Sequence, residues 1–178
     1  SEYGLFKDAK FVAGRNEKEI YEYLGMEYVE PELRENAGEV EAALVKKLPR
    51  LVGYGDLMGD LHCHSDWDGG QNSIEEIVES AKRRGYHYVG IADHTKFLRI
   101  ENGLDEKRLA ERNAHIDKLN RLLEKDGGDF HILKGCEANI MPDGSIDIDD
   151  RALAQLDFVI AGVHSSFSLD REKMTRRL

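Results

Sequence analysis

The stretch Gly59-Asp60-Leu61-His62-Cys63-His64-Ser65-Asp66-Trp67-Asp68-Gly69-Gly70 sets two imidazoles two residues apart and follows them with two carboxylates. Read as a strand entering a loop, its period of two puts His62 and His64 on one face and Cys63 on the other. Two imidazoles so placed can grip one divalent ion. Asp66 or Asp68, in the glycine-rich turn, can fold a carboxylate over it. A His-x-His pair occurs by chance in many proteins, so the case depends on what lies downstream.

Alternating strand and helix signals run from about Leu57 onward. Strands are expected at Leu57–His64, Tyr88–Ala92, from Phe130 through Cys136-Glu137, and at Phe158–Val163. Between them, Ser73 and Glu76 form a capping box for a helix with Ile74, Ile77, Val78 and Ala81 as its apolar stripe. Leu109, Ile116, Leu119 and Leu123 mark a long amphipathic helix ending at Gly127-Gly128, and a short helix is expected near Asp149–Ala154. This alternation predicts an α/β fold with a parallel sheet, closing toward a barrel. Each strand ends in a metal-type ligand: His62 and His64, His94, Glu137, and His164. Active sites in such folds lie at the carboxyl ends of the strands, so these ligands share one rim.

The same parity sets other residues aside. His87 faces the helix layer, His115 lies inside a helix, and His131 sits about 20 Å down its strand from Glu137. Cys63 and Cys136 point away from the ligands as small core residues. Asp93 faces away from His94 and is expected to pin a loop. Asp60 shares the inward face with His62, as a ligand or as a support for one. A histidine-rich set with a glutamate able to bridge suits Zn²⁺ or Mn²⁺, or a mixture with iron, and it has more ligands than one ion needs. Two ions at such a centre hydrolyse phosphoesters, with Glu137 and His94 at the reacting centre.

Composition narrows the field. A formal charge of −10 over 178 residues argues against broad clinging to nucleic acid or acidic membranes, though not against DNA at a metal-lined cleft. Two cysteines provide no disulfide framework and suit a reducing cytoplasm. No apolar run is long enough for a membrane span. Residues 1–34 read as a small tyrosine-rich unit, with a strand around Lys10–Ala13 and a helix from an Asn16/Glu19 capping box to about Leu24. A linker over 35–54 carries a helix with a Val40, Ala43, Leu44 and Leu48 stripe that Pro49 closes. The chain begins without methionine and stops mid-helix by pattern, and reads as an excerpt.

Gly59-Asp-Leu-His-Cys-His-Ser, Gly90-Ile-Ala-Asp-His-Thr, Leu133-Lys-Gly-Cys-Glu and Ile160-Ala-Gly-Val-His-Ser resemble, in order and spacing, the first motifs of the PHP (polymerase and histidinol phosphatase) domain. Val12-Ala-Gly-Arg through the Pro31-Glu-Leu-Arg-Glu-Asn segment resembles the thumb–PHP junction of bacterial and archaeal family X DNA polymerases. The resemblance implies a distorted seven-stranded (βα) barrel with a trinuclear metal centre, present here over 55–178 as an incomplete barrel behind a thumb-like α+β segment. It implies a 3′–5′ exonuclease acting on DNA 3′ ends, beside the rest of a polymerase chain. His62, His64, His94, Glu137 and His164 carry over as ligands. The family's ligand aspartate falls on Gly69, so Asp68, or failing it Asp66, must substitute through a shifted turn. The family's remaining ligands would lie beyond residue 178, which leaves an incomplete site, and weak or no activity in this chain alone, as the expectation. A histidinol-phosphate-type phosphatase and a non-catalytic, metal-stabilised accessory domain are the competing readings. Lys96 and Arg99 are candidate contacts to DNA phosphates.

Overall fold

The computed structural model describes residues 2–178, which separate into two compact units, one ending at Gly53 and the other running from Tyr54 to Leu178. The first unit opens with an antiparallel hairpin, β1 (Leu5–Lys7) against β2 (Lys10–Ala13). Its two-residue turn, Asp8 and Ala9, takes positive φ at both positions, the geometry that matches the twist of a hairpin. Neither residue advertises this, and only β2 is legible in the sequence. Helix α1 (Glu17–Tyr23) starts at Asn16, whose side chain accepts from Glu19 N. The expected return bond goes elsewhere: Glu19 accepts from Gly14 N and Arg15 N.

Helix α2 (Glu39–Leu44) falls short of its expected end at Pro49, and only Ala43 of its stripe is buried. Lys46 turns left-handed at φ 55°, Lys46 N donates to Ala43 O, and Lys47 N reaches back to Ala42 O. That bond pattern is a Schellman stop with lysine in the usual glycine position. Glu27 N also takes the Ala43 carbonyl, so a contact from a distant residue helps hold the helix end.

In the second unit, β3 (Gly59–Cys63), β4 (Tyr88–Ile91) and β5 (His131–Lys134) form a parallel sheet, β4 central. Strands β6 (Glu137–Asn139) and β7 (Ile160–Gly162) form a second parallel pair. Backbone bonds join the two: Gly135 N to Ile91 O, Glu137 N to Asp93 O and Thr95 N to Glu137 O. The expected single strand from Phe130 to Glu137 is thus broken at Gly135-Cys136, and Glu137 begins a new strand instead of ending one. The break lies where the Phe158 ring packs on Gly135; a Cβ there would stand 2.2 Å from the ring.

Helices α3 (Ile74–Arg83) and α4 (Glu106–Lys125) cover one face of the sheet, α3 with the full Ser73/Glu76 capping box. Ile74, Val78 and Ala81 pack with Val89, Ile91, Ile116, Phe130 and Ile132. Burying each large aliphatic chain contributes about 1.5–3 kcal/mol. Leu104, Leu109, Cys136, Ala138 and Ile148 form a second cluster. Short helices α5 (Asp150–Leu153) and α6 (Arg171–Arg177) flank β7 in sequence. No helix among the described residues is long and apolar enough to cross a membrane.

A register shift between Asp60 and Cys63 corrects one expectation. Asp60 Oδ1 accepts from His62 N at 2.9 Å, a local turn that inserts the irregularity. Asp60 therefore lines a groove with Cys63, Glu76 and Tyr86 on the α3 side and does not face inward with His62.

Candidate metal centre

Three segments deliver four imidazoles to one carboxylate. His62 Nε2 lies 2.9 Å and His64 Nε2 3.2 Å from Glu137 Oε2, both at the end of β3. His94, just past β4, sets Nδ1 3.6 Å from the same oxygen. His164, after β7, sets Nε2 3.0 Å from the other oxygen, Oε1. An isolated parallel bridge aligns His94 with Glu137, so the β4 extension and β6 bring these two side by side. The rings of His64 and His94 are 4.5 Å apart, and those of His94 and His164 5.4 Å.

Asp68 joins this group and Asp66 does not. The Asp68 carboxylate is buried; Oδ2 lies 2.7 Å from His64 Nδ1 and accepts from His94 N at 2.8 Å. Its other oxygen accepts from Gly70 N. Asp66 is exposed in the same turn. At position 69 a Cβ would meet the flexible Glu101 carboxylate at 2.3 Å and Glu101 Cα at 3.3 Å, so a side chain there would displace an acidic neighbour.

The electrostatics follow from these contacts. Burial works against ionisation of Glu137, but the His62 bond and the nearby His94 and His164 outweigh it and hold the carboxyl below its usual range. Asp68 behaves alike: burial raises it, while His64 and the His94 and Gly70 N–H groups lower it further. The Asp68 bond raises His64, whereas burial lowers His94 toward the neutral form that offers a lone pair.

The donor set fits divalent metal. Three overlapping triads, His62/His64/Glu137, His64/Asp68/His94 and His94/Glu137/His164, each bring ligand atoms within 4.8 Å of one another. The buried His94 Nδ1 has no hydrogen-bond partner, as a nitrogen reserved for an ion would. Imidazole and carboxylate together suit Zn²⁺ and Mn²⁺ chemistry.

Two supporting networks were not foreseen. Arg112, fully buried in α4, donates to Asp93 Oδ2 (3.0 Å), Gly135 O (2.6 Å) and Asn113 Oδ1 (2.8 Å). Asp93 in turn accepts from Ser65 N (2.6 Å) and Ser65 Oγ. One guanidinium thereby ties the segments bearing His64, His94 and Glu137. The loop-pinning role expected of Asp93 is what its contacts show, but its partner came as new. A signal existed: Arg112 lies three residues after Leu109 and four before Ile116, on the helix's apolar stripe. In the second network Asn139 Oδ1 meets His164 Nδ1 at 2.7 Å, and Asp147 accepts from Thr95, Phe97 and Asn139. No periodicity announces Asn139 or Asp147.

The histidines set aside do lie elsewhere: His87 beside Asp129, His115 beside Glu75, and His131 exposed. Cys63 packs against the first core cluster and Cys136 is buried in the second; burial pushes both thiols up to about 11. Lys96 is ion-paired with Glu106 and Arg99 is exposed.

Comparison with known proteins agrees with this geometry. Residues 1–35 match the DNA polymerase beta thumb family and residues 60–177 match the PHP domain family. The chain is 39% identical over 180 residues to the DNA polymerase/3'-5' exonuclease PolX of Bacillus subtilis (strain 168), covering 100% of this chain and 30% of the relative. It is 34% identical over 106 residues to a probable phosphatase of Syntrophotalea carbinolica, covering 59% of this chain and 40% of the relative. A probable phosphatase of Caldicellulosiruptor saccharolyticus is 34% identical over 107 residues, at 59% and 41%. The chain thus spans between about a third and two fifths of these relatives' lengths. With ligand-bearing strand ends converging on Glu137 and the family match covering the segment that carries them all, this chain belongs to the PHP domain family.

Proposed function

We propose that the second unit is a metal-dependent phosphodiesterase that removes nucleotides from DNA 3′ ends, as the exonuclease module of a family X polymerase. The observation that carries this reading is the convergence of four imidazoles on the two oxygens of Glu137. In this reading His62, His64, Asp68, His94, Glu137 and His164 hold two or three Zn²⁺ or Mn²⁺ ions. Such ions supply, when bound, a water of lowered pKa and charge neutralisation at the phosphoryl oxygens.

The chain's own residues prepare that chemistry. Glu137 stays ionised and presents each oxygen to a different set of imidazoles, so a single side chain can bridge. Asp68 takes up His64 Nδ1, leaving His64 Nε2 facing Glu137. His94 is kept neutral by burial. The strands β3 to β7 serve as the ligand-bearing wall of a distorted seven-stranded (βα) barrel, with residues 1–34 as a thumb-like segment and 35–54 as a linker. The match of residues 1–35 to a polymerase thumb favours DNA over a small phosphomonoester. A cytoplasmic location accords with two free cysteines and the likeness to a bacterial polymerase.

The test is digestion of a 3′-labelled single strand by this chain with added Mn²⁺, beside histidinol phosphate as a monoester. Slow release of label, abolished by Glu137→Gln, is the expected result. Turnover of the monoester alone would assign a small-molecule phosphatase. Metal binding without turnover of either would assign an accessory domain.

A further inference from the structure

Asp147 and Asn139 lie outside the ligand set, yet their hydrogen bonds end on His164. A primary amide has a donor end and an acceptor end, so whatever faces its donor fixes its orientation. Asn139 Nδ2 lies 2.9 Å from Asp147 Oδ2 and 3.0 Å from Thr95 Oγ1. The carboxylate only accepts. The Thr95 hydroxyl directs its one proton to Asp147, at 2.7 and 2.8 Å, and so meets Asn139 as an acceptor. Reversing the amide would press its oxygen against the carboxylate. Asn139 is 1% exposed, so no solvent relieves that conflict.

With its nitrogen committed, Asn139 presents Oδ1 to His164 Nδ1 at 2.7 Å. An amide oxygen cannot donate, so the proton of that bond sits on His164 Nδ1. With an ion between His164 and Glu137, an imidazole protonated on Nδ1 offers that ion the lone pair of Nε2, the atom 3.0 Å from Glu137 Oε1. Asp147 is itself anchored by the N–H groups of Phe97 (2.9 Å) and Asn139 (2.8 Å). We propose that Asp147, acting through Asn139, sets the tautomer of His164 and so commits its Nε2 to the metal centre. Both are positioning residues. The inference rests on the reading of His164 as a ligand.

The tautomer is read in the Zn²⁺-loaded chain by long-range ¹H–¹⁵N correlation, because without an ion the Glu137 carboxylate also draws a proton to Nε2; His164→Gln identifies the resonances. Nδ1–H is expected in the wild type. In Asp147→Asn the residue facing Asn139 no longer only accepts, so both tautomers should be populated. Mn²⁺ affinity, followed by electron paramagnetic resonance, should then fall about 10–100-fold. Asn139→Leu, which removes the acceptor itself, should do the same and serves if Asp147→Asn loses its near-ultraviolet circular dichroism. A loaded wild type whose His164 carries no proton on Nδ1 would overturn the proposal whatever the variants do. So would an Asp147→Asn chain with unchanged tautomer and Mn²⁺ affinity. Should His164→Gln bind Mn²⁺ as well as the wild type, the ligand assignment fails while the tautomer result stands apart. None of these readouts requires hydrolysis.

Discussion

The two units each contain an arginine–carboxylate pair, and their geometry ranks them in the opposite order from their surroundings. Arg34 meets Glu17 with two bonds of 2.9 Å, assisted by the Tyr28 hydroxyl, at the surface of the first unit. Arg112 meets Asp93 through a single 3.0 Å contact, with both side chains at 0% exposure. By distance alone the first pair is the better one. Water and salt screen it, however, while the second stands where an unpaired charge has nowhere to go. What decides the consequence of an ion pair is the medium around it. The buried pair also has a task that the exposed one lacks, because its bonds hold the ends of β3, β4 and β5 in line. A hydrophobic replacement could match its stability, but not its reach to Ser65 and Gly135.

The largest effect should come from breaking the buried pair on one side only. Arg112→Ala should lower unfolding free energy by about 3–5 kcal/mol, because Asp93 is left buried and unpaired. Urea denaturation measures this, and a loss no greater than that of a surface substitution would refute the contrast. A second buried–exposed comparison lies within one turn. Asp68→Asn should weaken Mn²⁺ binding by about 10–100-fold, whereas the exposed Asp66→Asn should leave it unchanged. If only the Asp66 change lowers metal content, the turn presents the other carboxylate.

Acid separates the regions more gently. Hydrogen bonds from Thr95, Asn139 and Phe97 outweigh burial and hold Asp147 below its ordinary 3.8. A depressed carboxyl stabilises the fold above its unfolded value and loses that contribution as pH falls through the folded one. The wild type should therefore lose stability below about pH 3.8 more steeply than Asp147→Asn does. Glu17 is also lowered, chiefly by Arg34, but is exposed to solvent, so Glu17→Gln should barely alter the acid limb. The coupling between Arg34 and Glu17, from a double-mutant cycle, should be the smallest effect of all. That coupling should vanish near 1 M salt, where the screening length is about 3 Å.

The candidate ligands were legible because residue type and strand parity are local properties. His62, His64, His94, Glu137 and His164 could be read as strand-end ligands without knowing what each faced. Ser73 and Glu76 likewise cap α3 through neighbours three residues apart. Two departures arose where a partner distant in sequence intervened, and one from a bond within the strand itself. Phe158 packs on Gly135 where β5 gives way to β6, and Glu27 takes a carbonyl at the end of α2. Asp60 left the inward face because its own carboxylate took the His62 N–H, and one residue of slip reverses a strand's faces. The sequence by itself determined which side chains could hold metal and which elements carry them, since helix and strand periods act over a few residues. The tertiary structure alone decided that Arg112 neutralises Asp93 and that Asp147 orients Asn139 against His164. Those pairings depend on which groups are shut away from water together, and burial is a property of the assembled fold.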